Sequence, residues 1–313
     1  VSNPAGDTAV EDQSGTEVLL LVPGAGNAVR VPVLTCLDAL RRGATVTVIE
    51  ASSDSEVDLA VSRAIATPTR LVVAGGDGPL RAVLRRMVRR AVPRGGERPA
   101  GLRADRTIAD LPPIGILPLE PASPIAPDLV TMLGLPRDPD AVAAAVLAGR
   151  SRRLDLLRND GGSVTLRSAL IGGVDASGQP IAWSARIDVD DTVLSDGSEQ
   201  LLACGIGNTG RIDAVPGLTL VANSDPADGS IEVGVAVPLP SRLPDRLAGR
   251  LPDRLRSRGR SRGQIEVRRA RGRAVAVTLT GGDVPFTDDG IEGNFTRKRT
   301  WWMENEVWAV YTC

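Results

Sequence analysis

Arg70-Leu71-Val72-Val73-Ala74-Gly75-Gly76-Asp77-Gly78 is the stretch on which the fold turns. Its short apolar run suits a strand buried on both faces, and the glycines end that strand sharply. The basic segment from Leu80 to Arg90 reads as the helix that follows. A glycine turn between strand and helix leaves N–H groups free at the helix start, where an anion is favoured and a ligand can approach the backbone. Asp77 is open to two readings there. It orients a metal or a ribose hydroxyl, or it caps a plain tight turn.

The same order repeats upstream. Val18-Leu19-Leu20-Leu21-Val22 is a second buried strand, and it ends in Pro23-Gly24-Ala25-Gly26-Asn27. Between the two turns, residues 31–42 read as a helix, 44–50 as a strand and 56–66 as a helix. Downstream, Ile114-Gly115-Ile116-Leu117 is a further strand, ending in Pro118-Leu119-Glu120-Pro121, and residues 140–149 form an Ala-rich helix with a glycine stop. Strand and helix alternating at this pitch argue for a parallel sheet with right-handed crossovers. Ligands bind outside the strand ends of such sheets, so Gly24, Ala25 and Gly26 are expected to face one crevice with Gly75, Gly76, Asp77 and Gly78. Residues 92–112, rich in Arg, Gly and Pro, read as a surface loop.

Beyond Arg150 the pattern changes to short alternating segments separated by Gly, Asp and Asn, among them 183–189, 200–206, 231–237 and 274–279. That spacing predicts an antiparallel β-sandwich or open barrel. The expected organisation is a flexible segment at 1–16, an α/β domain of nucleotide-binding type at 17–138 and a β-sandwich domain at 139–294. Residues 295–313 are expected to pack back on the first domain. A local repeat, Arg242-Leu243-Pro244-Asp245-Arg246-Leu247 followed by Arg250-Leu251-Pro252-Asp253-Arg254-Leu255, continues into a basic arm ending at Arg262.

Composition narrows the chemistry. Of 313 residues, 42% are hydrophobic and 24% charged, enough for a globular core. Histidine is absent, which removes Ser-His-Asp triads, His-ligated zinc and His general bases. A net charge of −1 and only 2% aromatics argue against a nucleic-acid partner. Cys36, Cys204 and Cys313 are odd in number, far apart and without metal-ligand spacing, which points to a reducing cytoplasm. The arm from Arg242 to Arg262 reads either as a peripheral membrane contact, through anionic headgroups, or as a solvated face. Oligomeric state leaves no mark in the sequence.

Two acidic stretches complete the candidates. Asp225-Pro226-Ala227-Asp228-Gly229 reads as closely spaced carboxylates or as an Asx-type turn. Asp288-Asp289-Gly290-Ile291-Glu292 reads as a hairpin turn or as acids able to take a proton from a hydroxyl.

Taken in order, these motifs resemble the diacylglycerol kinase catalytic-domain family, which includes bacterial lipid kinases and sphingosine kinases. The resemblance runs from about Val18 to Gly290. Val22-Pro23-Gly24-Ala25-Gly26 stands where the family has Asn-Pro-x-Ser-Gly, and Gly75-Gly76-Asp77-Gly78-Pro79 where it has Gly-Gly-Asp-Gly-Thr. Pro118 to Pro124 resembles its Pro-Leu-Gly-Thr-x-Asn-Asp, and Asp289-Gly290 its final Asp-Gly-Glu. The resemblance implies a phosphofructokinase-like three-layer α/β domain, a β-sandwich domain and ATP in the cleft between them. It further implies Mg²⁺-supported phosphoryl transfer to the hydroxyl of a lipid or other small molecule. Gly24, Ala25, Gly26, Gly75, Gly76, Asp77 and Gly78 would hold the nucleotide, Asp225 and Asp228 the metal network, and Asp289 or Glu292 would be the base.

The departures concentrate where that chemistry belongs. Pro79 and Pro121 remove backbone donors, each loss being worth about 1–3 kcal/mol of ligand binding. Glu120 replaces a glycine and brings a carboxylate towards the phosphates, a repulsion of roughly 4 kcal/mol per like charge at close range. Ile291 stands in the position of the closing Glu, with Glu292 one step out of register. Two functions therefore stay open: an ATP-dependent lipid kinase, and a catalytically inactive relative that binds a ligand, a partner or a membrane.

Overall fold

Four short strands, three of them continuous apolar runs, organise the first half of the protein. The structure, a computed structural model, describes residues 15–93, 100–215, 217–239 and 264–313. The expected flexible segment falls outside these up to residue 14, and the arm from Arg242 to Arg262 lies wholly outside them. In chain order come β1 (Glu17–Pro23), α1 (Val31–Arg41), β2 (Thr45–Ala51), α2 (Asp54–Ala66), β3 (Arg70–Ala74) and α3 (Asp77–Ala91). Then follow β4 (Ile114–Leu117), α4 (Leu129–Met132) and α5 (Pro139–Ala148).

The four strands are parallel, in the order β2-β1-β3-β4. Successive side chains point to opposite faces. Leu19, Leu21, Leu71, Val73 and Ile114 pack with Val57 and Val61 of α2 and Leu80, Leu84 and Met87 of α3. Leu20, Val22, Val72 and Leu117 pack with Val33 and Leu40 of α1 and Val142 and Val146 of α5. Helices thus cover both faces, in three layers. Local chemistry starts these helices where the chain requires. Ser53 and Glu56 form a capping box before α2, and Asp138 caps α5 through the Ala141 N–H at 3.0 Å. The helix α3 begins three residues earlier than its sequence pattern indicates, so Gly78 and Pro79 sit in its first turn, where proline is tolerated.

The second half is all β: β5 (Ser151–Asn159), β6 (Val164–Thr165), β7 (Ser168–Ile171), β8 (Ala185–Val189) and β9 (Thr192–Asp196). These are followed by β10 (Ala203–Gly207), β11 (Gly210–Val215), β12 (Leu218–Ser224), β13 (Ile231–Pro238) and β14 (Ile265–Gly272). The last are β15 (Ala274–Leu279), β16 (Val284–Asp288), β17 (Ile291–Phe295) and β18 (Lys298–Tyr311). A sheet in the order β14-β13-β10-β7-β16-β17 packs on strands β18-β15-β8-β9 through Ile171, Ile187, Ile206, Val233, Val275, Phe286 and Trp301.

The long strand β18 joins the two halves. Its start pairs antiparallel with β15, Trp301 opposite Val275, and its end lies parallel to β4, Val310 opposite Ile114. One side of the sandwich is therefore continuous with the parallel sheet. Residues 100–112 are also less superficial than their composition predicts. Arg106, Ile108 and Leu111 are buried, and the fully buried Glu304 of β18 accepts from the Thr107 N–H at 2.6 Å and from Arg158 Nη1 at 2.9 Å. Among the described residues, no helix is long and apolar enough to cross a membrane.

Candidate functional site

Parallel pairing of β1 with β3, Leu21 opposite Val73, brings the two glycine turns out side by side at one edge of the sheet. Gly24 and Gly26 have φ of 91° and 79°, and Gly75 has 142°, a region L side chains rarely adopt. A Cβ on Gly24 would stand 2.8 Å from Asn27 Nδ2, the amide that closes the turn onto the Pro23 carbonyl. One on Gly75 would stand 2.9 Å from the ring of Pro79. At Gly26, Gly76 and Gly78 a Cβ would meet nothing within 4 Å, so the backbone is open to close approach. Not every donor in these turns is available. The Gly24 N–H is bonded to the Ala51 carbonyl and the Gly75 N–H to the Leu117 carbonyl, both at 2.9 Å.

Asp77 opens α3 and is committed on both oxygens. Oδ1 accepts from the Leu129 N–H at 3.0 Å and Oδ2 from Arg167 Nη1 at 3.1 Å. One turn further along the same helix, Arg81 reaches into the second half of the protein in the opposite electrostatic sense. Its Nη2 donates to Asp288 at 2.6 Å, and its Nε lies 3.2 Å from Asp289. An acid and a base at i and i+4 on α3 therefore each pair with the opposite charge on the sandwich. Sequence reasoning missed Arg81 and Arg167, and quoted Asp288 only as part of the acidic turn. The available signal was Arg81 itself, which lies on the apolar stripe of Leu80, Leu84 and Met87 where an unpaired cation would not be buried.

Asp289 and Gly290 form the hairpin turn between β16 and β17 with φ of 50° and 81°, as an Asp-Gly pair favours. The Asp289 carboxylate accepts from the N–H groups of Leu166, Arg167 and Ser168 at 2.7, 2.8 and 3.1 Å. Its side chain is 2% exposed. Burial, with the neighbouring Asp288 charge, pushes its carboxyl up to about 6. Burial raises Asp288 as well. Glu292 is placed differently: it is exposed on the edge strand β17, opposite Thr287, with no partner among the described residues.

The Asp289 shift carries a pH consequence. The folded carboxyl holds its proton up to about 6, against about 3.8 in the unfolded chain. The folded state therefore binds more protons in that window, and the unfolded state gains as pH rises. The stabilising contribution is full below the lower value and lost as pH passes the upper one. Asp289→Asn is expected to flatten this slope, worth on the order of 3 kcal/mol, in urea melts taken across the window. An unchanged slope would contradict the assignment.

Asp225 and Asp228 do not meet Asp77 in a cation site. Asp225 accepts from the Ala227 N–H at 3.0 Å and Asp228 from the Ser230 N–H at 2.9 Å, each capping its own turn. Asp228 is also ion-paired with Arg271. The loop is tied down by Asp155, whose carboxylate takes the Gly229 and Glu306 N–H groups at 2.7 Å each. Mg²⁺ needs several oxygens converging on a point. Among the described residues no three acidic or cysteine side chains are so grouped, and Asp77 and Asp228 already carry guanidinium partners. As arranged, these residues do not fit the ion.

Glu120 is not the bare repulsive charge that its position in the sequence suggests. Its carboxylate pairs with Arg30 at 2.8 Å. Arg137 holds the Glu120 carbonyl at 2.7 Å from Nη2, while its Nη1 grips Asp128. The loop that the resemblance assigns to phosphate is thus braced by two arginines.

Comparison with known proteins bears on all of this. The diacylglycerol kinase catalytic domain profile matches residues 18–159. A crystal structure of a diacylglycerol kinase from Bacillus anthracis str. Sterne superposes with a TM-score of 0.61 at 12% identity, covering 96% of this chain and 98% of that one. Two further structures from the same organism, carried under the same enzyme name provisionally, give TM-scores of 0.64 and 0.65 at 12% identity and the same coverage. At that identity the likeness is one of fold. No curated protein matches the chain. With the two-part architecture and the paired glycine turns in place, residues 18–159 of this chain match the diacylglycerol kinase catalytic domain.

Proposed function

We propose that this chain keeps the lipid-kinase scaffold as a binding protein: it takes a phosphate-bearing ligand at the strand-end cleft and does not transfer a phosphoryl group. The observation that carries this reading is the state of Asp289. A general base must reach the proton it abstracts. Both oxygens of Asp289 are instead taken by three backbone N–H groups and Arg81 in a buried pocket. Glu292 faces solvent, one position past the family's closing acid. The acids that would gather Mg²⁺ cap their own turns or pair with arginine. The ligand class is a nucleotide or a lipid with a phosphate headgroup. The three free thiols, with Cys36 and Cys204 buried, agree with a reducing cytoplasm, and contact with a membrane surface is part of the same proposal.

The test is a radiolabelled-ATP assay with Mg²⁺ across diacylglycerol and sphingoid bases. No labelled lipid is expected, and transfer above the protein-free blank would overturn the proposal. A second reading, lipid kinase, is favoured by the family match over residues 18–159. On that reading Asp289, raised by burial, is the base once released from its donors, and Asp289→Asn abolishes transfer.

A further inference from the structure

The anion-facing groups of the first glycine turn are already occupied by carboxylates of the chain itself. The Gly26 N–H, whose surroundings are open, donates to Glu50 Oε1 at 2.5 Å. Four residues on, Arg30 donates from Nη1 to Glu120 Oε1 at 2.8 Å and from Nη2 to the Leu119 carbonyl at 2.9 Å. Glu50 comes from the end of β2, on one side of β1. Glu120 comes from the loop after β4, beyond β3 on the other side. Two carboxylates from opposite flanks therefore converge on one short turn.

Neither is locked in place. The Glu120 side chain is 77% exposed, and Glu50 is exposed as well. Pairs of this kind hold weakly, because solvent screens them and two long side chains must be ordered. The backbone of the Glu120 loop is fixed separately by Arg137, so only the Glu120 side chain has to swing for Arg30 to be freed. A phosphate group brings more acceptor oxygens and more charge than a carboxylate, and it binds a guanidinium by two parallel bonds.

We propose that Gly26 and Arg30 form an anion site for a phosphate-bearing ligand, and that Glu50 and Glu120 are its internal competitors and set its affinity. This rests on the cleft being a phosphate-ligand site, as proposed above. In this account Glu120 and Arg30 work as a pair. The carboxylate keeps Arg30 at the mouth of the turn, and any ligand must displace it.

Isothermal titration of the full chain at low ionic strength provides the test. The probes are inorganic pyrophosphate, ATP in EDTA, and phosphatidylcholine vesicles containing phosphatidic acid. These arms separate a nucleotide source of the phosphate from a lipid one. The double variant Glu50→Ala/Glu120→Ala is expected to bind about tenfold tighter than the natural chain in at least one arm. Adding Arg30→Ala should return the affinity to the natural value or below. All three side chains are at the surface, and a thermal melt of each variant confirms that it is folded. Affinities within about twofold of the natural chain in every arm, or a gain that survives Arg30→Ala, would overturn the inference. If the natural chain binds a probe and the double variant binds it no tighter, this inference fails while the binding-protein reading stands. If neither binds in any arm, both fail.

Discussion

Arg81→Met is expected to cost about 3–5 kcal/mol of folding stability near neutral pH, with the loss shrinking as the solution is acidified. Among the described residues Arg81 is the one cation paired with both Asp288 and Asp289, and all three side chains are nearly buried. Methionine fills similar space and removes the charge. Two neighbouring carboxylates would then be left in a poorly solvated pocket, with Thr165 and the three backbone N–H groups as their remaining donors. Breaking a buried pair from one side is far costlier than replacing the whole pair, because the partner charge stays behind uncompensated. Burial already raises both carboxyls, and loss of the guanidinium raises them further. The penalty is therefore largest where both acids ionise and falls as they take up protons, which Asp289 does near about 6. Adding Asp288→Asn should recover part of the loss. Chemical denaturation at the two ends of this range is the check. A loss below about 1 kcal/mol, or one independent of pH, would show that α3 is not clamped to the sandwich by these charges.

Trp308→Ala is the second large effect, about 3–5 kcal/mol from the cavity alone. Trp308 is 2% exposed and packs in the core shared with α2 and α3. It sits just past an irregularity in the pairing of β5 with β18, where register shifts between Glu304 and Trp308 and Glu306 adopts a φ of 51°. That bulge redirects β18 from the sandwich into the parallel sheet. Asp155 organises the bend. Its Oδ1 takes the Glu306 N–H, its Oδ2 the Gly229 N–H, and its carbonyl takes the Trp308 indole N–H at 2.9 Å. Alanine would both open a void and leave that carbonyl with only the longer bond from Asn208 Nδ2, at 3.4 Å. Trp308→Phe keeps most of the volume and loses only the indole bond, so it should recover most of the stability in thermal melts. Equal losses for the two variants would place the effect in the hydrogen bond instead of the packing.

Much of the fold was legible because its signals are local. Buried runs at 18–22, 70–74 and 114–117 declare strands within a few residues. Asp289-Gly290 declares a hairpin turn from two residues whose backbone tolerates positive φ. The order of these signals was enough to place both glycine turns at one sheet edge. The site was less legible. The glycines stand at the strand ends where their motif puts them, but the proposed metal acids and Asp289 are already committed to other partners, and Glu292 is exposed on an edge strand. The decisive contacts are Arg30 with Glu120, Arg81 with Asp288 and Arg167 with Asp77, and they join residues separated by 90, 207 and 90 positions.

By itself, then, the amino-acid sequence determined the alternating strands and helices of the first half, the β character of the second and the likeness of residues 18–159 to the diacylglycerol kinase catalytic domain, but not the long strand β18 that joins the two halves. Periodicity and turn chemistry act over one or two turns of chain, and no distant residue is needed to read them. Tertiary structure alone decided which charges are spent. A carboxylate is a ligand, a base or a brace according to what lies within about 3 Å of it, and that neighbour is supplied by a part of the chain that spacing does not reveal.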